Sequence, residues 1–208
     1  MKKWGFFVAT LLLLFSVSQL DAQQRHWLGV VGSLNLADIS QEPQVGLNFS
    51  TNTLFGAGLL GDVALTDYLA LRLQPMYMKK GSKLKSGNEE VGETTLDYVT
   101  VPAMLKLNIG SARTQPYLVG GPYVGFLLSA NQTIEGEKQD IKENTKNLDF
   151  GLDFGAGVRL PVGNNAFFIE GRYALGLINI NDDPEDTTKI KNRNFQVMAG
   201  FSIPLGGE

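Results

Sequence analysis

The 208-residue chain has no cysteine and a single histidine, His26. The first absence excludes disulfides and thiolate metal sites, but it leaves the compartment open, since many exported bacterial proteins have none. The second excludes a three-histidine zinc site and leaves a Ser-His-Asp triad without a centre. A basic excess is missing too. The chain carries 18 Lys and Arg against 21 Asp and Glu, a formal net charge of −3, so nothing marks a nucleic-acid partner. Beyond residue 22 no apolar run approaches the ~20 residues of a membrane-spanning helix. Glycine is plentiful instead, at 24 of 208 residues, well above the usual ~7%.

The first 22 residues stand apart. Lys2 and Lys3 give a basic start, Phe6 to Phe15 is an apolar run centred on Leu11–Leu14, and Leu20-Asp21-Ala22 places a small residue before Gln23. That order is expected of a secretory signal peptide, residues 1–22, removed on export. An anchor helix would need a longer apolar run. The remaining 23–208 form one expected domain.

Period-two alternation fills that domain. From Leu148 to Leu160 the even positions are Leu148, Phe150, Leu152, Phe154, Ala156, Val158 and Leu160. The odd positions hold only Asp149, Gly151, Asp153, Gly155, Gly157 and Arg159. A helix would scramble these two sets, because its faces recur at three and four residues. The pattern returns at Phe167–Leu177, Phe195–Ile203, Val99–Leu107, Leu69–Tyr77 and Leu28–Leu36, and more faintly at Leu54–Leu65 and Tyr117–Leu128. The reading is eight strands and no helix. Short connections at Thr66–Tyr68, Gly110–Gln115 and Pro161–Asn165 alternate with long polar ones at Asp38–Thr53, Gly81–Glu93, Ser129–Asn147 and Asn181–Asn192. Tight periplasmic turns and larger external loops are the plan of an outer-membrane barrel.

A soluble lipocalin-like barrel also alternates, with its apolar face inside. Three features favour the inverted arrangement. The polar face is small as well as charged, as a narrow eight-stranded interior requires. Its charges balance: Asp62, Asp149, Asp153 and Glu170 can meet Arg72, Lys106, Arg159 and Arg172, and a buried charge is tolerated when paired. These eight residues form the proposed lumen charge network. Third, Tyr68, Tyr77, Tyr98, Tyr117, Tyr123 and Tyr173 lie mostly near expected strand ends, as interfacial girdles would.

Some motifs point elsewhere and fail on context. Gly56-Ala57-Gly58-Leu59-Leu60-Gly61 has dinucleotide-binding spacing, but no helical pattern follows and positions 69–88 hold no acid. Asp149 and Asp153 share a strand face as paired catalytic carboxylates do, yet no nucleophile with a base accompanies them. Asp182, Asp183, Glu185 and Asp186 could hold Ca²⁺ weakly, and read better as a solvated loop.

The stretches Gly32–Leu36, Tyr98–Lys106, Pro116–Leu128, Asp149–Arg159 and Arg172–Ile180 resemble outer-membrane barrel proteins of the PorT-like, porin-like group found mainly in Bacteroidetes. In that group a Tyr precedes alternating apolar residues, Pro and Lys in a middle strand, as in Tyr98-Val99-Thr100-Val101-Pro102-Ala103-Met104-Leu105-Lys106, although an acid often stands where Thr100 is. Pro116-Tyr117-Leu118-Val119-Gly120-Gly121-Pro122-Tyr123-Val124-Gly125 is the nearest match. The resemblance implies an outer-membrane location and, for a few members, a role in protein secretion. Such strands often end on an aromatic residue, whereas Phe201 is followed here by seven more residues, so the last strand boundary is left open.

The expectation is therefore an all-β, eight-stranded antiparallel transmembrane up-and-down barrel in the bacterial outer membrane. It is read as monomeric, with no cofactor, metal or catalytic residue, and with little or no conductance. Its partners are membrane lipid and, through the loops, envelope or secretion proteins. A structural or interaction role ranks first. An accessory role in secretion or surface assembly comes second, and a soluble periplasmic carrier of an apolar ligand third.

Overall fold

The computed structural model describes residues 26–42, 48–86, 89–110, 114–134, 136–183 and 188–205. The expected signal segment lies outside them. The strands are β1 (His26–Glu42), β2 (Asn48–Ser50), β3 (Asn52–Ala64), β4 (Leu69–Leu73), β5 (Met76–Ser86), β6 (Glu89–Asn108), β7 (Gln115–Ile134), β8 (Glu137–Asp140), β9 (Leu148–Val162), β10 (Asn165–Gly176) and β11 (Lys189–Leu205). One 3-10 turn, Lys142–Asn144, follows β8.

All pairings are antiparallel, and they close. β1 pairs with β3, β3 with β4 and β5, both of these with β6, β6 with β7, β7 with β9, β9 with β10, β10 with β11, and β11 with β1. β4 and β5 are one stave broken at Gln74-Pro75, because proline has no N–H to give the ladder. The neighbouring strands stay bonded across the break, with Leu59 donating to the Pro75 carbonyl at 3.0 Å and Gln74 to that of Pro102 at 3.1 Å. Counting β2 with β3 in the same way, and β8 with β9 because both pair with β7 along successive stretches, leaves eight staves in a ring. Closure removes the edges of the ring, so its backbone groups can find partners within the sheet and not in lipid.

The faces are inverted relative to a soluble barrel. Val30, Leu105 and Ile169 are each more than half exposed on the outer wall, as are Phe55, Leu59 and Phe167. Asp149, Asp153, Glu170, Arg72 and Arg172 are buried inside. The apolar face therefore turns to lipid, which overturns the lipocalin-like alternative.

The staves run further than the alternation indicated. Segments expected to be long loops at Gly81–Glu93 and Asp38–Thr53 are largely strand, and Ser129–Asn147 carries the end of β7 and all of β8. The twenty residues of β6 run roughly 66 Å at ~3.3 Å each, or about 50 Å of height at a tilt near 40°. The apolar band of such barrels is only ~25 Å tall. On β6 the outward residues are apolar from Val99 to Leu107 and polar before that, at Glu93, Thr95 and Asp97. Above the band the outer face is matched by charge rather than by hydrophobicity. Lys79 lies opposite Asp97, Lys83 opposite Glu93, and Asp38 opposite Arg193. Cross-strand pairs of opposite sign fix register where no lipid does so.

At the other end the connections are tight. Gly163-Asn164 joins β9 to β10 as a two-residue hairpin, with Gly163 at φ 61°, the left-handed conformation such a turn requires. Thr66 Oγ1 accepts from the Leu69 amide at 3.0 Å in the β3–β4 turn. β11 continues past Phe201 to Leu205, which pairs with His26, so both described ends of the chain lie at this turn end.

Candidate functional site

The side chains that could do chemistry converge on the lumen, and the strand pleat puts them there. On β3, β4, β6, β9 and β10 the inward positions hold Asp62, Arg72, Lys106, Asp149, Asp153, Arg159, Glu170 and Arg172, all buried. Seven of these eight connect directly or through a shared partner. Asp62 accepts from Arg72 Nε at 2.6 Å, Arg72 Nη2 at 2.8 Å, Lys106 Nζ at 2.8 Å and Arg159 Nη2 at 3.1 Å. Arg72 reaches on to Glu170 at 2.8 Å. Glu170 pairs with Arg172, whose Nη1 lies 3.4 Å from Asp153. Gln74 Oε1 takes another Arg172 donor at 2.8 Å. The eighth, Asp149, belongs to a second cluster nearer the long-strand end.

That second cluster contains a residue the sequence reading missed. Lys80 Nζ is buried and donates to Asp149 Oδ2 at 2.9 Å. Asn192 and Tyr123 donate to the same oxygen at 2.9 and 3.2 Å. Lys80 was passed over because it lies where the apolar alternation of its stave stops. The available signal was its parity: Met76, Met78 and Lys80 share one face of β5.

The tyrosines correct a second expectation. Tyr98, Tyr117 and Tyr123 are buried inside the barrel and do not belong to an interfacial girdle, whereas Tyr68 lies exposed on the outside. The inner rings are cation platforms. Lys80 Nζ lies 4.4 Å from the centre of Tyr123 and 5.1 Å from that of Tyr98, and Lys106 Nζ lies 4.4 Å from that of Tyr117. Tyr117 also donates to Glu170 at 2.9 Å. Desolvated contacts of this kind are worth up to about 2 kcal/mol each. The lumenal glycines make room for these rings. A Cβ at Gly157 would lie 2.5 Å from Tyr117, one at Gly151 2.6 Å from Tyr123, and one at Gly200 2.4 Å from Phe168.

Packing closes the middle of the lumen. An apolar patch of Val31, Leu60, Met76, Met78, Phe168 and Met198 lines one wall. A cavity of about 10 Å³ beside Asp153, Arg172, Gln196 and Lys80 has room for one water molecule. Larger hollows flank this plug. At the turn end, about 360 Å³ opens between Trp27, Asn108, Gln115, Asn164 and Arg159. At the long-strand end, about 280 Å³ is lined by Ile39, Leu84, Leu96, Ile141, Ile180 and Ile190. There the connection before β9 and the one before β11 are tied together. Thr145 bridges Asn181, and the amides of Lys146 and Asp182 donate to the carbonyls of Ile180 and Asn144.

The remaining candidates are placed as follows. Gly56–Gly61 lies within β3, so it forms no phosphate-binding turn before a helix. His26 Nδ1 accepts from the Ala64 amide at 3.2 Å, at the turn end. Asp183 lies 3.4 Å from Asn144, and Glu185 and Asp186 lie outside the described residues.

The same architecture occurs in solved structures of low identity, which speak to fold alone. The outer membrane protein OprG from Pseudomonas aeruginosa is 13% identical with a TM-score of 0.55, covering 88% of this chain and 97% of its own. Neisserial surface protein A is 15% identical with a TM-score of 0.53, covering 86% and 97%. A major outer membrane protein from Thermus thermophilus is 9% identical with a TM-score of 0.51, covering 86% and 99%. No curated protein sequence matches the chain. The family model of the outer membrane protein beta-barrel domain matches residues 18–182. With its closed ring of lipid-facing staves, the chain belongs to that family, and its place is the bacterial outer membrane.

Proposed function

We propose that the protein is a closed outer-membrane barrel that acts as a structural and interaction protein through its long-strand end, with no open pore. The turn end then faces the periplasm, residues 1–22 are its export signal, and the working unit is a monomer. One observation carries this reading: order persists beyond the lipid band. β5, β6 and β7 continue as a charge-matched ribbon, and the connections bridged by Thr145 and Asn181 fold over the mouth. Binding surfaces commonly sit on segments held by a rigid scaffold. The resemblance at Tyr98–Lys106 and Pro116–Gly125 supports a further assignment, to the PorT-like group of Bacteroidetes.

The ion-paired plug supports a non-conducting lumen, because wide aqueous channels belong to barrels of ~16 or more strands. Two experiments test the proposal. Planar-bilayer recording of the purified protein is expected to show no stable single-channel steps. Cross-linking on intact cells is expected to trap an envelope component, and replacing residues 137–147 by a Gly-Ser linker is expected to abolish the adduct while the barrel still folds. Large stable steps, or an adduct indifferent to that replacement, would contradict the proposal.

A further inference from the structure

The buried network does not balance. Among the described residues the buried acids are Asp62, Asp149, Asp153 and Glu170, and the buried bases are Arg72, Lys80, Lys106, Arg159 and Arg172. Four negative charges face five positive ones. An uncompensated charge in a low-dielectric interior is costly, so the surplus belongs where water or a counter-ion reaches it. Among the described buried cations, Lys80 and Arg172 border only a single-water cavity, and one cation borders an open hollow. Arg159 retains 8% exposure, whereas the other four cations retain 1% or less. It lines the 360 Å³ hollow at the turn end.

Arg159 is also under-used as a donor. A guanidinium has about five N–H groups in a fixed fork, and among the described residues one hydrogen bond is made, from Nη2 to Asp62. That Asp62 is already shared with Arg72 and Lys106, so it offsets little of the Arg159 charge. The guanidinium carbon lies over the Trp27 ring, 4.5 Å from its centre. Asn108, Gln115 and Asn164 supply neutral polar groups around it. Of the acids among the described residues lining the hollow, Asp62 is the paired one and Asp67 is solvent-exposed. The volume lies within the ~300–1,000 Å³ of small-molecule sites.

We infer that this hollow is an anion-binding site, in which Arg159, stacked on Trp27, takes a phosphate monoester or carboxylate group. Two oxygens of either group match the guanidinium fork bidentately. The group could be presented by a free metabolite or by a lipid headgroup of the adjoining leaflet.

Trp27 reports on the site directly. The chain has two tryptophans, and Trp4→Phe leaves Trp27 as the sole one. The full-length gene carrying this change is expressed, and the protein is purified from membranes and titrated with glycerol phosphate at low ionic strength. The expected result is a saturable change in Trp27 emission. Arg159→Gln should abolish it. Asn164→Asp, a turn substitution that adds a negative charge at the rim, should weaken apparent affinity about tenfold, close to 1.4 kcal/mol. Arg159→Gln touches the buried network, so the Asn164→Asp result stands independently of its folding. Repeating the titration in nanodiscs separates the sources. Phosphatidic acid, whose headgroup is a phosphate monoester, identifies a headgroup site if it competes where phosphatidylcholine does not, and equal titrations identify a soluble ligand. Absence of a saturable response, or one that Asn164→Asp leaves unchanged, would overturn the inference.

Discussion

Replacing Asp62 by Asn should damage this barrel more than any other isosteric change in the lumen. Asp62 is buried and accepts four hydrogen bonds from three cations, Arg72, Lys106 and Arg159. Asparagine keeps the shape and one carbonyl acceptor but removes the charge. Breaking a buried ion pair by removing one partner costs about 3–5 kcal/mol, mostly because the other charge stays buried without compensation. Arg72 keeps Glu170, which limits its share, whereas Lys106 has no second carboxylate among its described ion pairs. At roughly 2–4 °C per kcal/mol for a chain of this size, the unfolding midpoint should fall by about 6–20 °C. The assay is the temperature at which half of the detergent-solubilised protein loses its fast, folded electrophoretic mobility. Adding Lys106→Met to Asp62→Asn should restore at least half of the loss, because an apolar side chain then replaces an unpaired ammonium. A midpoint within about 2 °C of the parent, or a double variant worse than the single one, would refute the network as the element that holds the lumen together.

The other predictions separate the regions of the wall. Leu105→Arg places a charge in the apolar band and should cost about 2–4 kcal/mol, whereas Thr95→Arg on the same strand, above the band, should cost under ~0.5 kcal/mol; urea titration in detergent compares them. Gly157→Leu forces a side chain against Tyr117 and should cost at least the ~1–3 kcal/mol of overpacking, with partial rescue by Tyr117→Ala in the same titration. Lys80→Met should be tolerated better than Asp149→Asn, since Asp149 keeps the Tyr123 and Asn192 donors whereas Lys80 would lose its carboxylate partner; heat-shift midpoints rank the two.

Much of this wall could be read before any coordinates, for a physical reason. In lipid each strand must show apolar residues on one face, and a narrow lumen must show small or charged ones on the other, so Leu148–Leu160 states its own geometry. The same reason explains what was missed. Above the lipid band neither requirement holds, so Gly81–Glu93 lost its alternation and read as a loop, although Lys83 opposite Glu93 shows a paired strand. Parity along β5 would have put Lys80 inside with Met76 and Met78. The tyrosines misled because Tyr favours membrane interfaces and tight cation contacts alike, and only the cross-strand register brings Tyr123 over Lys80 and Tyr117 over Lys106. Which glycine admits which ring was equally invisible: Gly157 meets Tyr117 through the β7–β9 pairing, forty residues apart in the chain.

The central claim is that this chain closes into a barrel with its apolar face in lipid. Electrophoresis of the protein from isolated outer membranes, with and without boiling, tests it most directly. The account predicts recovery in the membrane fraction and a mobility that changes only on heating. Recovery as a soluble periplasmic protein with one mobility at both temperatures would contradict it.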